Sequence, residues 1–513
     1  MKSNAPIDVA SMRKPHILPV ITAATFAGTS LWFAGNAVVR DIQKAWVLGD
    51  DLVAYITSSV QVGFIVGTAV FAITGIADQY SPGRVFCCCC LIGAFLNASI
   101  YLFAFGLSQL LFLRFLIGFC LAGIYPVSLK IAKGWYNEGL GFAMGSVVCA
   151  LALGTAFPHL IKGAGGQLPW GATLISVSVL AAIGGVTMVV FVPDGPLLKK
   201  GAKFNPQVVL EIFNDWDYTQ ASLGYYGHMW EQYSFWGFLP TMIDQYSQVH
   251  EVSNINVSLA AFFVISAGSV GSLVQGWGTK YMTSASAATL NISISGFCGI
   301  VHPIFYGYDS FFLYILLLIL WGWTVTSDSP QFSALASSAC KPELLGTALT
   351  VYNCVGYFMT VISIQLCQSL AKYLTMQYVS FIIAIGPVAG AVIIFSRAKR
   401  DGIWIIPGQR RNSVIYNSLD QSATVGKLPE QQIEMNPIKR SVDATKLERS
   451  EYPTPLAPEE PSLASRQQQA STPPMYDIGE VEEEDRKDEY LSSASDNEVK
   501  LSADVIGNRG PTN

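Results

Sequence analysis

Up to about Ser396, apolar residues come in long runs rather than at the spacing of a surface helix or an alternating strand. Twelve such runs cover residues 17–38, 53–76, 85–107, 110–132, 141–161, 171–192, 218–243, 257–278, 285–305, 310–337, 346–370 and 376–396. Each is close to the roughly 20 residues that a helix needs to cross a bilayer core about 30 Å thick. Gly and Pro interrupt the later ones, which membrane helices tolerate. The pattern predicts an all-α membrane protein with twelve transmembrane helices. From residue 397 to 513 the periodicity stops and the run Glu482-Glu483-Glu484-Asp485 appears, the composition of a disordered tail.

An even number of spans puts both ends of the chain on one side. The loops facing that side receive Lys2, Arg13, Lys14, Arg84, Lys130, Lys133, Lys199, Lys200, Lys203, Lys280 and Lys341. The opposite loops receive only Arg40, Lys44, Lys162 and Lys372. Basic loops stay cytoplasmic, so residues 1–16 and the acidic tail are expected in the cytoplasm. The segment 193–217, with Pro193, Pro196, Pro206 and three lysines, reads as a cytoplasmic linker. It divides the spans into bundles of six, residues 17–192 and 218–396.

Internal repetition supports two pseudo-symmetric bundles. Pro126 and Ser128 precede Glu138-x-x-Gly141, and Pro330 and Ser333 precede Glu343-x-x-Gly346. Ser30-x-Trp32 in the first span is matched by Ser234-x-Trp236 in the seventh. Small residues at helical spacing (Gly63 and Gly67, Gly118 and Gly123, Gly141 and Gly145, Gly268 and Gly271) let helix backbones approach closely.

Charge and cysteine content narrow the functional classes. Only 13% of residues are charged, against about 25% in soluble domains. The residues after Phe395 hold 15 basic and 20 acidic groups, and 15 minus 20 accounts for the whole net charge of −5. The membrane part is near neutral, with no basic surface for nucleic acid. Met1–Pro19 is polar and the first apolar run is long enough to span, so no cleaved signal peptide is expected. The ten cysteines show no metal spacing; Cys87-Cys88-Cys89-Cys90 reads as small packing residues or as a palmitoylation site near the membrane surface. No nucleophile–base set, phosphate loop, metal cluster or cofactor motif is visible, so the chain is not expected to be an enzyme. Asn256-Val257-Ser258 is a glycosylation sequon, and Tyr416-Asn417-Ser418-Leu419 resembles a sorting signal through which the tail would meet partners.

The densest chemistry lies in the seventh span, Tyr225-Tyr226-Gly227-His228-Met229-Trp230-Glu231-Gln232-Tyr233-Ser234-Phe235-Trp236. His228 and Glu231, three residues apart, share one helix face. An ionisable group at bilayer depth costs roughly 2.5–3.5 kcal/mol on insertion scales and usually faces a cavity or a partner. Either residue can exchange protons in a cavity that turns from one face of the membrane to the other, or the two form a satisfied buried pair.

The loop Gly75-Ile76-Ala77-Asp78-Gln79-Tyr80-Ser81-Pro82-Gly83-Arg84 resembles the signature loop of the major facilitator superfamily. Gln79 stands in place of the usual basic residue, and Gly276-Trp277-Gly278-Thr279-Lys280-Tyr281 is the second-half copy with Thr279 in place of the acid. Arg114-Phe115-Leu116-Ile117-Gly118 resembles the family's Arg-x-x-x-Gly motif, and Gly145, Gly154 and Pro158 are similar to its glycine–proline motif. Ser30–Ala37, Ala122–Pro126 and Met229–Tyr233 resemble facilitators near the bacterial cyanate and nitrate/nitrite porters, although the nitrate signatures are lacking.

The resemblance implies a solute site at mid-membrane, lined by the first, fourth, seventh and tenth spans. Asn36, Arg114, Tyr125, Tyr225, Gln232 and Trp323 are then candidates for substrate binding, and His228 and Glu231 for proton coupling. Asp78, Arg84, Lys130 and Asp328 are candidate gates, Asp328 as a partner of Lys130 or Lys133 across the halves. Arg114 would hold a carboxylate or bond backbone carbonyls. The expected function is secondary active transport of a small polar solute, an organic anion, by a proton symporter in the plasma membrane or an endomembrane such as the lysosome. An uncoupled facilitator, or a receptor signalling through the tail, stays open as an alternative.

Overall fold

The computed structural model describes residues 15–402, except for 105, 137, 138, 167, 199–204, 280, 342 and 343. The expected disordered tail, the sorting signal and the N-terminal basic residues lie outside the described residues. Among the described residues every regular element is helical. Twelve spans follow one another: α1 (Ile17–Thr29, resumed as Ala34–Ala37), α2 (Leu52–Thr74), α3 (Pro82–Phe103), α4 (Leu107–Ala122 and Tyr125–Trp135), α5 (Leu140–Ala164) and α6 (Trp170–Phe191) form one half. The other half comprises α7 (Trp216–Val249), α8 (Val257–Gly278), α9 (Ser284–Tyr306), α10 (Phe311–Ser327 and Ser329–Ala339), α11 (Leu345–Ala371) and α12 (Met376–Asp401).

Ten of these are long and apolar enough to cross a membrane. The first span falls short because it is broken after Thr29. The seventh has the length but not the apolarity, since it carries Gln220, His228, Glu231 and Gln232 along its axis. It also runs six residues past the expected end at residue 243, and Pro240 inside it does not stop it.

The duplication is visible in the packing. In the first half α2 packs on α4, α3 on α6, and α1 on α5 and α6. In the second, α8 packs on α10, α9 on α12, and α7 on α11 and α12. The halves meet along two seams, α5 with α8 and α2 with α11. The face where α1 begins and α12 ends is termed the base here, and the opposite face the top.

Three spans are broken at related places. Pro126 and Pro330 each occupy the second position of a restarted helix, where a missing N–H costs nothing at that end. Each still frees a carbonyl one turn back; Thr326 O receives the Ser272 hydroxyl of α8 at 3.3 Å. The α1 break leaves the carbonyls of Leu31 and Trp32 without helical partners, and the buried Arg114 guanidinium donates to both, at 3.1 Å to Leu31 O. The first half thus spends its buried cation on holding α1 to α4.

Glycines divide the interfaces into tight and loose. A Cβ on Gly118 of α4 would overlap the Val60 carbonyl of α2, and one on Gly63 would overlap Phe115 O in return. Gly322 of α10 meets Val264 O of α8 in the same way in the second half. Across the halves the contact varies along α5: a Cβ on Gly145 would lie 3.6 Å from Ser272 O of α8, ordinary contact distance, but one on Gly163 would come within 2.9 Å of Leu259 N. The small-residue seams therefore lock each half internally, whereas the boundary between halves is close at the Gly163 end of α5 and looser at the Gly145 end.

Replacing Gly118 with Ala is expected to destabilise the purified protein by about 1–3 kcal/mol, as overpacking does, while Gly145→Ala leaves its melting temperature within a degree or so. A thermal-unfolding measurement in detergent checks both; equal effects would mean that the two interfaces are alike.

Candidate solute site

A cavity of about 420 Å³ lies between the halves and reaches the base. Its floor residues sit at helix ends on that face: Lys133 near the end of α4, Leu140 at the start of α5, Ser284 at the start of α9 and Ser337 near the end of α10. Deeper in, the walls are Tyr125 on α4, Tyr225, Met229, Gln232 and Tyr233 on α7, and Tyr352, Asn353 and Tyr357 on α11. Tyr225 stacks on Tyr352 at 3.8 Å between ring centroids, and its hydroxyl is 3.4 Å from Asn353 Oδ1. Lys133, exposed at the mouth, supplies charge to a lining that contains no carboxylate among the described residues.

Towards the top the cavity is sealed by aromatic rings from both halves. Trp32, at the α1 break, stacks on Tyr357 at 5.7 Å and lies 5.6 Å from Tyr233. Phe64 of α2 lies 4.2 Å from Tyr357, and the Tyr233 and Tyr357 hydroxyls bond to one another at 3.0 Å. Phe33 stacks on Tyr233 and meets Trp236 edge-on. Above this layer, ion pairs join the halves: Arg40 with Asp244 at 2.7 Å and Lys372 with Asp51 at 3.0 Å. Gln368 adds a bond to Asp51, and Gln365 one to Ser58. The Asp51 carboxylate, by bond and by charge, raises the Lys372 pKa above the usual lysine value. The top is closed and the base is open.

The residues singled out in the sequence fall in different places. Tyr125, Tyr225 and Gln232 line the central cavity. Asn36 does not; it sits above the aromatic layer and lines a separate cavity at the top. Arg114 is fully buried behind the α1 break. Trp323 faces away, packed against Gly271 of α8.

His228 and Glu231 are fully buried but do not pair with each other, and neither reaches the cavity wall. On α7, positions 225, 229, 232 and 233 face the cavity, which turns 228 and 231 into the second half. Glu231 accepts from Trp321 Nε1 of α10 at 2.7 Å and from Ser295 Oγ of α9 at 2.8 Å. His228 Nδ1 stands 2.8 Å from Asp328 Oδ1, at the α10 break. The separation is that of an ion pair, but the ring N–H is not aligned on the oxygen; neither imidazole nitrogen and neither carboxylate oxygen of this pair has an aligned hydrogen bond.

The gate candidates also find partners inside one half. Asp328 meets His228 rather than Lys130 or Lys133. Lys130 instead bonds Asp78 and the Ala77 carbonyl, tying the α2–α3 turn to α4. That turn starts at Gly75, whose φ of 63° favours glycine. Arg84 is exposed on the first turn of α3. The sequon residue Asn256 caps α8 through its Oδ1 and donates from Nδ2 to Gly163 O of the first half, so its amide is already engaged.

Sequence reasoning missed Lys133, Tyr352 and Asn353 as cavity residues. The signal was there: Leu349, Asn353 and Tyr357 recur every four residues, with Tyr352 beside Asn353, one face of α11.

Two halves of six helices around a central cavity, sealed on one side, define a membrane carrier. The Major Facilitator Superfamily profile matches residues 20–364, and the chain belongs to that family. The chain is similar in fold to a crystal structure of the nucleoside transporter NupG, studied in mutant form. The TM-score is 0.57 at 13% identity, covering 74% of this chain and 98% of that one. No curated protein sequence matches the chain.

Removing the top ion pairs with Arg40→Gln and Asp51→Asn is expected to unseat the closure. With Val53→Cys, at a buried position that lines the same top cavity as Asn36, the cysteine should then react several-fold faster with a membrane-impermeant maleimide added from the top. Unchanged reactivity would mean that the aromatic layer alone holds the top shut.

Proposed function

We propose that the protein is a proton-coupled secondary transporter that moves a small organic anion by alternating access of its two halves. The single observation behind this reading is the central cavity, open at the base and shut at the top by ring contacts and ion pairs that join the two halves. Slip along the α5–α8 and α2–α11 seams would open the top and close the base. Basic residues near the base, Arg84, Lys130, Lys133 and Lys341, make it the cytoplasmic face, whether in the plasma membrane or in an endomembrane.

Lys133 supports an anionic solute, since a cation at the mouth of a narrow cleft draws counter-charge. The tyrosines of α7 and α11 offer flat walls and hydroxyls, which suit a small solute with an apolar body and polar edges. Proton coupling works one layer behind this wall. His228 and Asp328 join α7 to the break in α10, whose second segment lines the cavity with Gln331 and Ser333. A proton arriving on the pair changes how firmly that segment is held against α7. Glu231 fastens α7 to α9 and to the first segment of α10, so its protonation loosens the same helix from the other side.

In liposomes with the purified protein, Glu231→Gln is expected to retain solute exchange at zero gradient and to lose accumulation driven by a proton gradient. Accumulation equal to that of the unaltered protein would remove Glu231 from the coupling. Uptake that never exceeds equilibrium, even in the unaltered protein, would make the chain a facilitator.

For solute binding, Lys133→Gln is expected to raise the KM for an anionic solute about tenfold, roughly 1.4 kcal/mol, with little change for a neutral analogue. A uniform change for both would assign Lys133 to packing.

A further inference from the structure

A second cavity, of about 560 Å³, opens at the top between the halves. The first half supplies Asn36, Arg40 and Lys44 from the chain beyond the α1 break, and His159 and Lys162 from the end of α5. The second half closes it with α7 and the loop before α8.

Two of these side chains carry buried polar atoms without partners. Asn36 is 4% exposed; its Nδ2 donates to Thr57 Oγ1 at 2.7 Å, but its Oδ1 accepts nothing. His159 is 1% exposed and its Nε2 has no partner. Buried polar atoms are rarely left this way, and these two border one cavity. The rim holds three basic groups, Arg40, Lys44 and Lys162, and one carboxylate, Asp41. Arg40 is paired with Asp244 and Lys162 with Asp41, whereas Lys44 makes no ion pair among the described residues and is exposed.

These atoms specify the chemistry of an occupant. It must bring negative charge to Lys44 and an N–H or O–H to the acceptor Asn36 Oδ1. Arg40 and Lys162 are already matched by Asp244 and Asp41, so Lys44 carries the uncompensated charge; a neutral donor leaves the occupant's negative charge whole for it, and a hydroxyl is the smallest such donor. His159 Nε2 meets the carboxylate or the hydroxyl according to its tautomer.

We propose that the top cavity binds a small hydroxycarboxylate, its carboxylate towards Lys44, its hydroxyl donating to Asn36, with His159 bonding the same molecule. This rests on the reading of the protein as an organic-anion transporter and gives that anion its waiting place on the far side of the aromatic layer. Because both halves wall the cavity, the occupant also bridges them.

The test compares acids that differ by one hydroxyl. Purified full-length protein in nanodiscs is titrated calorimetrically with L-malate and succinate, and with L-lactate and propionate. Each hydroxy acid is expected to bind at least tenfold more tightly than its deoxy partner. Asn36→Leu and, separately, His159→Gln should reduce that ratio to near one, and Lys44→Gln should weaken both members of a pair alike. L-Malate, but not succinate at the same concentration, should slow maleimide labelling of a cysteine replacing Thr241, which lines this cavity. Equal binding within each pair, binding of neither acid, or labelling of that cysteine at an unaltered rate would overturn the site; none of these needs a variant of His159 or Asn36 to fold. Proton-driven uptake in liposomes is followed in parallel. Uptake without hydroxyl discrimination sinks the top site and leaves the transport reading; discrimination without uptake of any acid does the reverse.

Discussion

Everything in the arrangement depends on the aromatic layer where Trp32 and Phe64 from one half close on Tyr233 and Tyr357 from the other. It stands between the central cavity, which Phe64, Tyr233 and Tyr357 line, and the cavity at the top. Aromatic rings suit this task because each buries a large area while only two torsions need be fixed, and stacked or tilted pairs add about 0.5–1.5 kcal/mol beyond the area buried. The layer's place follows from the α1 break: with the helix interrupted at residues 30–33, Trp32 and Phe33 both reach the midline. Arg114 holds the break by its exposed carbonyls, so a cation outside the cavity sets the position of the ring that seals it.

The seventh span divides its labour by face. Tyr225, Gln232 and Tyr233 meet the solute space, whereas His228 and Glu231 meet α9 and α10. On the proposed reading, solute and proton need not touch the same side chains to be coupled. They need only act on the same helix, and α7 is held from one side by the tyrosine stack and from the other by the His228 and Glu231 contacts.

Much of the fold was legible in the sequence because crossing a bilayer imposes a length on each apolar run. The span expected at 171–192 is Trp170–Phe191, and that expected at 285–305 is Ser284–Tyr306. Pro126 and Pro330, read in the sequence as internal repetition, fall at the related breaks in α4 and α10, which the continuous spans expected there did not show. The break in α1 was not legible, since Ser30-Leu31-Trp32-Phe33 contains neither Gly nor Pro, and the carbonyls it frees are met by a residue more than eighty positions away. Partners inside the site were hidden for the same reason. The i, i+3 spacing placed His228 and Glu231 on one face, but which face depends on how α7 turns against its neighbours, and apolar residues surround the whole helix. His159 went unremarked in the sequence; the fold places it on the same cavity as Asn36.

The ion pairs at the top have a further consequence. Arg40, Asp244, Asp51 and Lys372 are all partly open to solvent, and such contacts are soft. Dissolved electrolyte screens them, with a Debye length of about 8 Å at physiological ionic strength. The fraction of molecules resting with the top shut therefore falls as the medium on that side grows saltier, so the bathing solution itself sets the carrier's idle poise before any cargo arrives.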